Sequence, residues 1–229
     1  AINPAEASTG SQTIADLFLI AAEKHADKVA VRYKTGDGWK DVTFREAGEI
    51  VSEIGRGFLD MGLQRGDRVA LLCQTRPEWT YVDFGVCAAG GVVVPVYATN
   101  SPEECEWVVG NSESRCVVCE DASQVEKITK VRDKLPGLEG IIVISAGTAG
   151  EAGGRTEGAT SLDEIRERGR GRSHDELAER ARSVPRDQAF TFIYTSGTTG
   201  PPKGCVLTHG NYRDVLNMLQ TAGHFEEGE

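Results

Sequence analysis

"RVALLCQTRPEWTYVDFGVCAAGGVVVPVY", Arg68 to Tyr97, reads as strand, helix, strand. Its two ends, "RVALLC" and "VVVPVY", are unbroken apolar runs, the pattern of strands buried on both faces. Pro77 sits where a helix starts, because a missing N–H costs nothing in the first turn. Two buried strands bridged by one helix form a βαβ unit. The strands of such a unit run parallel, since the chain crosses over between them.

Working outward, the alternation continues on the carboxy-terminal side. "SPEECEWVVGNS" predicts a helix with Ser101 at the cap and Pro102 in its first turn. "RCVVCE" is a strand, "ASQVEKITKVRDKL" a helix and "GIIVIS" a strand. On the amino-terminal side a capping box, Thr43 with Glu46, opens a helix whose apolar face is Ala47, Ile50, Val51, Ile54 and Phe58; Gly62 stops it. "KVAVRYKTGDGWKDVTF" reads as a hairpin turning at Thr35-Gly36-Asp37-Gly38. Thr13 and Asp16 start an earlier helix, with Ile14, Leu17, Phe18, Ala21 and Ala22 at helical spacing. Trp79 and Trp107 fall on helices beside apolar neighbours and are expected in the core. The fold class is therefore α/β, a mainly parallel sheet flanked by helices. Residues 1–12 are expected to form a loose arm and 13–186 an α/β subdomain. Residues 187–229 are expected to form a hairpin of a sheet whose other strands are missing, the start of the next, incomplete subdomain.

Beyond the last strand of that series, "AGTAGEAGGRTEGAT" reads as an exposed loop. Between Asp163 and Arg186 stand seven arginines and six acidic residues. Balanced charges at helical spacing predict two short, ion-paired helices rather than a nucleic-acid surface. The whole chain agrees: its formal charge is −10, and coating nucleic acid requires a basic face. With 39 % hydrophobic and 26 % charged residues the composition is that of a globular domain. No apolar run approaches the ~20 residues that span a bilayer. Six dispersed cysteines (Cys73, Cys87, Cys105, Cys116, Cys119, Cys205) are expected as buried thiols in a cytoplasmic setting. Cys116 and Cys119 stand three apart on a strand and so face opposite ways, which serves a shared metal badly. His209, with Asn211 nearby, is expected to serve a helix start.

One segment is not explained by folding alone. Between the strands Phe190–Tyr194 and Cys205–Thr208 lie Thr195, Ser196, Gly197, Thr198, Thr199, Gly200, Pro201, Pro202, Lys203 and Gly204. Glycines are costly to order but let a backbone approach a ligand and turn its N–H groups inward. Four hydroxyls add neutral donors, Lys203 adds one compact cation, and the proline pair stiffens the approach to it. A triphosphate is the occupant this chemistry suits. The segment is not the common P-loop, which needs Gly-Lys followed by Ser or Thr at the mouth of a helix. A glycine-threonine hairpin without a ligand is the alternative.

"YTSGTTGPPKG" followed by "LTHGN" resembles the phosphate-loop signature of the adenylate-forming, acyl-activating (AMP-binding) superfamily. That group includes acyl-CoA synthetases, coumarate-CoA ligases, luciferases and the adenylation domains of peptide synthetases. "VTFREAGEIVSEIGRGFLDMGLQRGDRVALL", "RPEW", "GGVVVPVYATNSPEE" and "CEDASQVEKI" are similar, in order, to the amino-terminal part of that family. Their wording is most like bacterial long-chain fatty-acyl-CoA synthetases.

The resemblance implies an acid activated in two steps: its carboxylate attacks the α-phosphate of ATP, and the thiol of coenzyme A then displaces AMP. It assigns Thr195, Ser196, Gly197, Thr198, Thr199, Gly200 and Lys203 to the ATP phosphates, with Thr195 also toward Mg²⁺. The family's adenine, ribose and hinge motifs do not occur here. Thr35-Gly36-Asp37 lies in the early hairpin and is not the ribose motif. No catalytic residue is assigned, and the chain is expected to be an amino-terminal piece that is inactive alone. Its implied partners are a fatty acid or other carboxylic acid, ATP, coenzyme A and the remainder of its own chain. Nucleic acid and a transmembrane segment are excluded, while peripheral membrane contact is left open. Adenylation of an aryl, medium-chain or amino acid, or nucleotide binding without chemistry, are the other readings.

Overall fold

The computed structural model describes residues 10–145, 156–195 and 200–222. Its elements in chain order are α1 (Ile14–Lys24), β1 (Val29–Thr35), β2 (Gly38–Thr43), α2 (Phe44–Asp60), β3 (Arg68–Leu72), α3 (Pro77–Ala88) and β4 (Val92–Val96). After these come α4 (Pro102–Asn111), β5 (Cys116–Cys119), α5 (Ala122–Lys130), β6 (Gly140–Val143) and β7 (Thr160–Ser161). The last described are α6 (Leu162–Arg170), α7 (His174–Arg182), β8 (Ala189–Thr195), β9 (Lys203–Thr208) and α8 (His209–Thr221). β1 and β2 form a separate antiparallel hairpin.

The remaining strands make one seven-stranded sheet in the order β7-β6-β5-β3-β4-β8-β9, parallel throughout except for β9. Alternate residues of each strand feed two cores. Val69, Leu71, Val93, Cys116, Val118 and Ile142 pack under α1, α2, α3, α6 and α7. Ala70, Leu72, Val94, Val117, Cys119 and Ile141 pack under α4 and α5. Cys116 and Cys119 thus lie on opposite faces, as their spacing requires, and no group of three metal-ligating side chains occurs among the described residues. Five cysteines are buried; Cys205 is exposed, because β9 is the sheet edge and shields only one side of itself.

Helix starts follow the capping chemistry. The Thr43 hydroxyl accepts from the Glu46 N–H, and the Thr43 N–H donates to the Glu46 carboxylate at 2.8 Å. Ser101 and Glu104 repeat this at α4, and Ser161 and Glu164 at α6. The α2 helix is crossed by α6 with almost no space between backbones, held by the buried Glu53. Its carboxylate accepts from Arg166 Nε and Arg170 Nε at 2.8 Å each. Arg166 and Arg170 on α6, and Arg172 between the two short helices, are ion-paired, the last with Asp60 and Glu176. Residues 1–9 of the expected arm lie outside the described residues; Ser11 is buried and the Gln12 N–H donates to Asp16.

Two buried titrating groups give the fold opposing pH dependences. Asp83 on α3 is 8 % exposed, and burial raises its carboxyl to about 7 from the ordinary 3.8. It stays protonated in the folded chain while the unfolded chain ionises, so stability falls as pH rises from about 4 to 7. His209 is fully buried, and burial lowers it to about 4. Its contribution is lost in the other direction, as pH falls from about 6.5 toward 4. Asp83→Asn is expected to exceed wild type in stability at pH 8 by on the order of 2–4 kcal/mol, the gap closing near pH 4. Denaturant unfolding at the two pH values measures this; an equal difference at both would refute the assignment.

Candidate functional site

The glycine-rich segment leaves the carboxyl end of β8, the end at which open α/β sheets receive ligands. A hairpin belonging to a sheet completed elsewhere was the expectation from sequence. The structure instead joins β8 to β4 in parallel, with Val93 opposite Thr191 and the Thr191 hydroxyl donating to the Val93 carbonyl at 2.8 Å. That buried contact ties β8, from which the segment leaves, to the central sheet. The segment's far limb returns as β9, paired antiparallel with Thr195 opposite Lys203 and Tyr194 opposite Gly204.

Of the assigned phosphate ligands, Thr195, Gly200 and Lys203 are described, and all three are exposed. Ser196, Gly197, Thr198 and Thr199 lie outside the described residues. Thr195 and Lys203 are directly opposite in the ladder, so their side chains rise from the same face about 5 Å apart at Cβ. Gly200 has φ +92°, and a Cβ there would meet nothing within 4 Å. The constraint on Gly200 is therefore backbone conformation, with open space before it. No carboxylate among the described residues neutralises Lys203. In a chain of net charge −10, an unmatched cation at a loop mouth offers an anion a favourable contact.

Helix α4 packs under the hairpin and touches both of its limbs. The Tyr194 hydroxyl donates to Asn111 Oδ1 at 2.7 Å, and the Trp107 indole N–H donates to the Pro202 carbonyl at 2.9 Å. Trp107 was expected in the core; it is 40 % exposed, with its indole N–H turned to Pro202. No local pattern could have shown this, since its partner is 95 residues away. Gly204 is opposite Tyr194, and a Cβ on it would stand 3.1 Å from the tyrosine ring. The missing side chain leaves room for that ring.

Past β9 the chain turns into α8. The Thr208 N–H donates to Asn211 Oδ1 at 3.0 Å, and the Asn211 N–H donates back to the Thr208 hydroxyl at 3.1 Å. This reciprocal pair caps the helix. His209 sits beneath it as a structural residue. Its Nδ1 accepts from the Ile14 N–H at 3.2 Å, and its ring packs near Phe190. The histidine of "LTHGN" thus fastens α8 to the start of α1.

The family model described as AMP-binding enzyme matches residues 18–228. The chain is 35 % identical over 205 residues to the long-chain-fatty-acid–CoA ligase ACSBG2 of Xenopus laevis, covering 90 % of this chain and 27 % of that protein. It is 32 % identical over 209 residues to the long-chain-fatty-acid–CoA ligase FadD15 of Mycobacterium bovis, covering 91 % and 33 %. The crystal structure of the anthranilate CoA ligase AuaEII in complex with anthranoyl-AMP superposes with a TM-score of 0.73 at 25 % identity, over 92 % of this chain and 37 % of that one. The chain spans about a third of the length of the curated relatives it matches.

Proposed function

This chain belongs to the AMP-binding enzyme family, and from that premise we propose that it is the ATP-gripping part of a long-chain fatty-acyl-CoA ligase. The reaction is acyl-adenylate formation followed by transfer to coenzyme A. The single observation that carries the reading is the loop mouth: Thr195 opposite an unmatched Lys203, on a hairpin anchored to the central sheet.

The difficulty in adenylation is charge, because a carboxylate has to approach a polyanion. Lys203 would hold the β- and γ-phosphates and offset the charge that develops as pyrophosphate leaves. The hydroxyls and N–H groups from Thr195 to Gly200 would orient the chain of phosphates, so that the α-phosphorus presents its open side to the acid. One hydroxyl cannot by itself hold a magnesium ion, which takes six oxygens and usually keeps several waters. The residues described here therefore do not form a metal site. Magnesium would arrive on the triphosphate, with Thr195 supplying at most one oxygen.

The long-chain substrate is supported by the relatives' names at 32–35 % identity. An aryl acid has a specific observation in its favour, the likeness to AuaEII. The division at residue 187, with the hairpin opening a further subdomain, and a cytoplasmic setting belong to the same proposal. Among the described residues no helix is long and apolar enough to cross a membrane. The test is acid-dependent ATP–pyrophosphate exchange by the complete gene product across a panel of acids. Exchange with long-chain fatty acids is expected. Exchange with aryl or amino acids alone would replace the substrate, and none with any acid would overturn the reading.

A further inference from the structure

Trp107 and Asn111 are four residues apart on α4, hence on one face of that helix one turn apart. Each makes a hydrogen bond to a different limb of the loop: Asn111 to Tyr194, the residue before Thr195, and Trp107 to Pro202, the residue before Lys203. The two contacts therefore lie on either side of the Thr195–Lys203 pair, Tyr194 on the strand side and Pro202 on the loop side. Both limbs are referred to one rigid helix, whose own position is fixed by Cys105, Val108 and Val109 in the core.

The bond to Pro202 has a second consequence. The Pro202 carbonyl and the Lys203 N–H belong to the same planar trans peptide and point in opposite directions. Holding the carbonyl on the indole thus fixes where that N–H and the root of the Lys203 side chain are aimed. Proline at 201 and 202 removes two backbone donors, so the indole bond and the ladder pairing of Lys203 with Thr195 together set this limb's orientation. A half-exposed tryptophan spent on a main-chain carbonyl is otherwise unexplained by packing.

We propose that Trp107 is a positioning residue for the phosphate loop, acting with Asn111 to set the spacing of Thr195 and Lys203 for a polyphosphate. This rests on the reading of the loop given above. The test uses the complete gene product and its ATP–pyrophosphate exchange. Trp107→Phe keeps the ring and removes the donor; losing one hydrogen bond of about 1 kcal/mol should raise KM for ATP about fivefold. KM for the acid should not move, and the thermal midpoint should stay within a degree or two. Adding ATP should also change the tryptophan emission of wild type by a component missing from Trp107→Phe. Tyr194→Phe, which removes only the hydroxyl, should shift KM for ATP in the same direction and carries the test should Trp107→Phe not fold.

A loss of kcat with KM for ATP unchanged would mark a merely structural role and overturn the proposal. So would wild-type kinetics in both variants. In either case wild type still responds to ATP and to Lys203→Ala, and the underlying reading survives. A wild-type protein with no response to ATP at all would instead remove both.

Discussion

Lys203→Ala, made in the complete gene product, is expected to lower acid-dependent ATP–pyrophosphate exchange by about a hundredfold or more, the usual cost of removing one preorganised charge-stabilising donor. Its thermal midpoint should not change. Lys203 is exposed, has no ion-pair partner among the described residues, and lies at the first position of an edge strand. Among the described residues its side chain has no hydrogen-bond or ion-pair partner for the fold to lose. Because Lys203 would hold the resting triphosphate as well as offset the charge of the departing pyrophosphate, KM for ATP should rise while kcat falls. Lys203→Arg should recover part of the activity, since it restores the charge but presents a planar fork where a compact ammonium fits. Exchange within threefold of wild type in Lys203→Ala would take the loop out of the mechanism.

Gly169→Ala should have the largest effect on stability. A Cβ at this position would stand 1.9 Å from the Glu53 carbonyl oxygen, a main-chain atom that no rotamer change can move. On the facing helix Gly57 has the reciprocal constraint, 2.2 Å from the Ile165 carbonyl oxygen. The α2 and α6 helices thus cross backbone against backbone. Accommodating even one methyl requires separating them, which also stretches both arginine bonds to the buried Glu53. The expected loss is about 3 kcal/mol or more, combining overpacking with a weakened buried ion cluster. For a chain of this size that lowers the midpoint by roughly 6–12 °C. Gly137→Ala is the control: a Cβ there meets nothing within 4 Å, and its effect should stay within about 0.5 kcal/mol. Calorimetry of the two variants side by side decides the matter.

The parts of the fold legible in sequence were those set by neighbours in the chain. Apolar runs marked β3 to β6, and the Thr43/Glu46 capping box and Ser101 followed by Pro102 marked helix starts. Both features act over at most a few residues, so local reading captures them. Lateral arrangement did not follow from the same evidence. The hairpin was assigned to another sheet because its pairing with β4 rests on Val93 and Thr191, 98 residues apart. Cys205 looked buried because its apolar neighbours Val206 and Leu207 resemble a central strand, whereas β9 is an edge. The close crossing of α2 and α6 was written only as glycines inside helical patterns, and a glycine does not say which backbone approaches it.

The site divided in the same way. The composition of Thr195 to Lys203 announces anion chemistry, since glycines, hydroxyls and one lysine are all needed and all adjacent. The residues that orient the loop, Tyr194, Asn111 and Trp107, carry no such signature. A tryptophan on an apolar helix face is core by default, and only its distance to Pro202 reveals the other role.

Hydrogen–deuterium exchange on the complete gene product, with and without ATP, measures most directly whether this segment is what holds the nucleotide's phosphates. Added ATP should slow amide exchange in a peptide covering Thr195 to Gly204, and Lys203→Ala should abolish that slowing. Protection that arises elsewhere while this peptide exchanges at an unchanged rate would contradict the account.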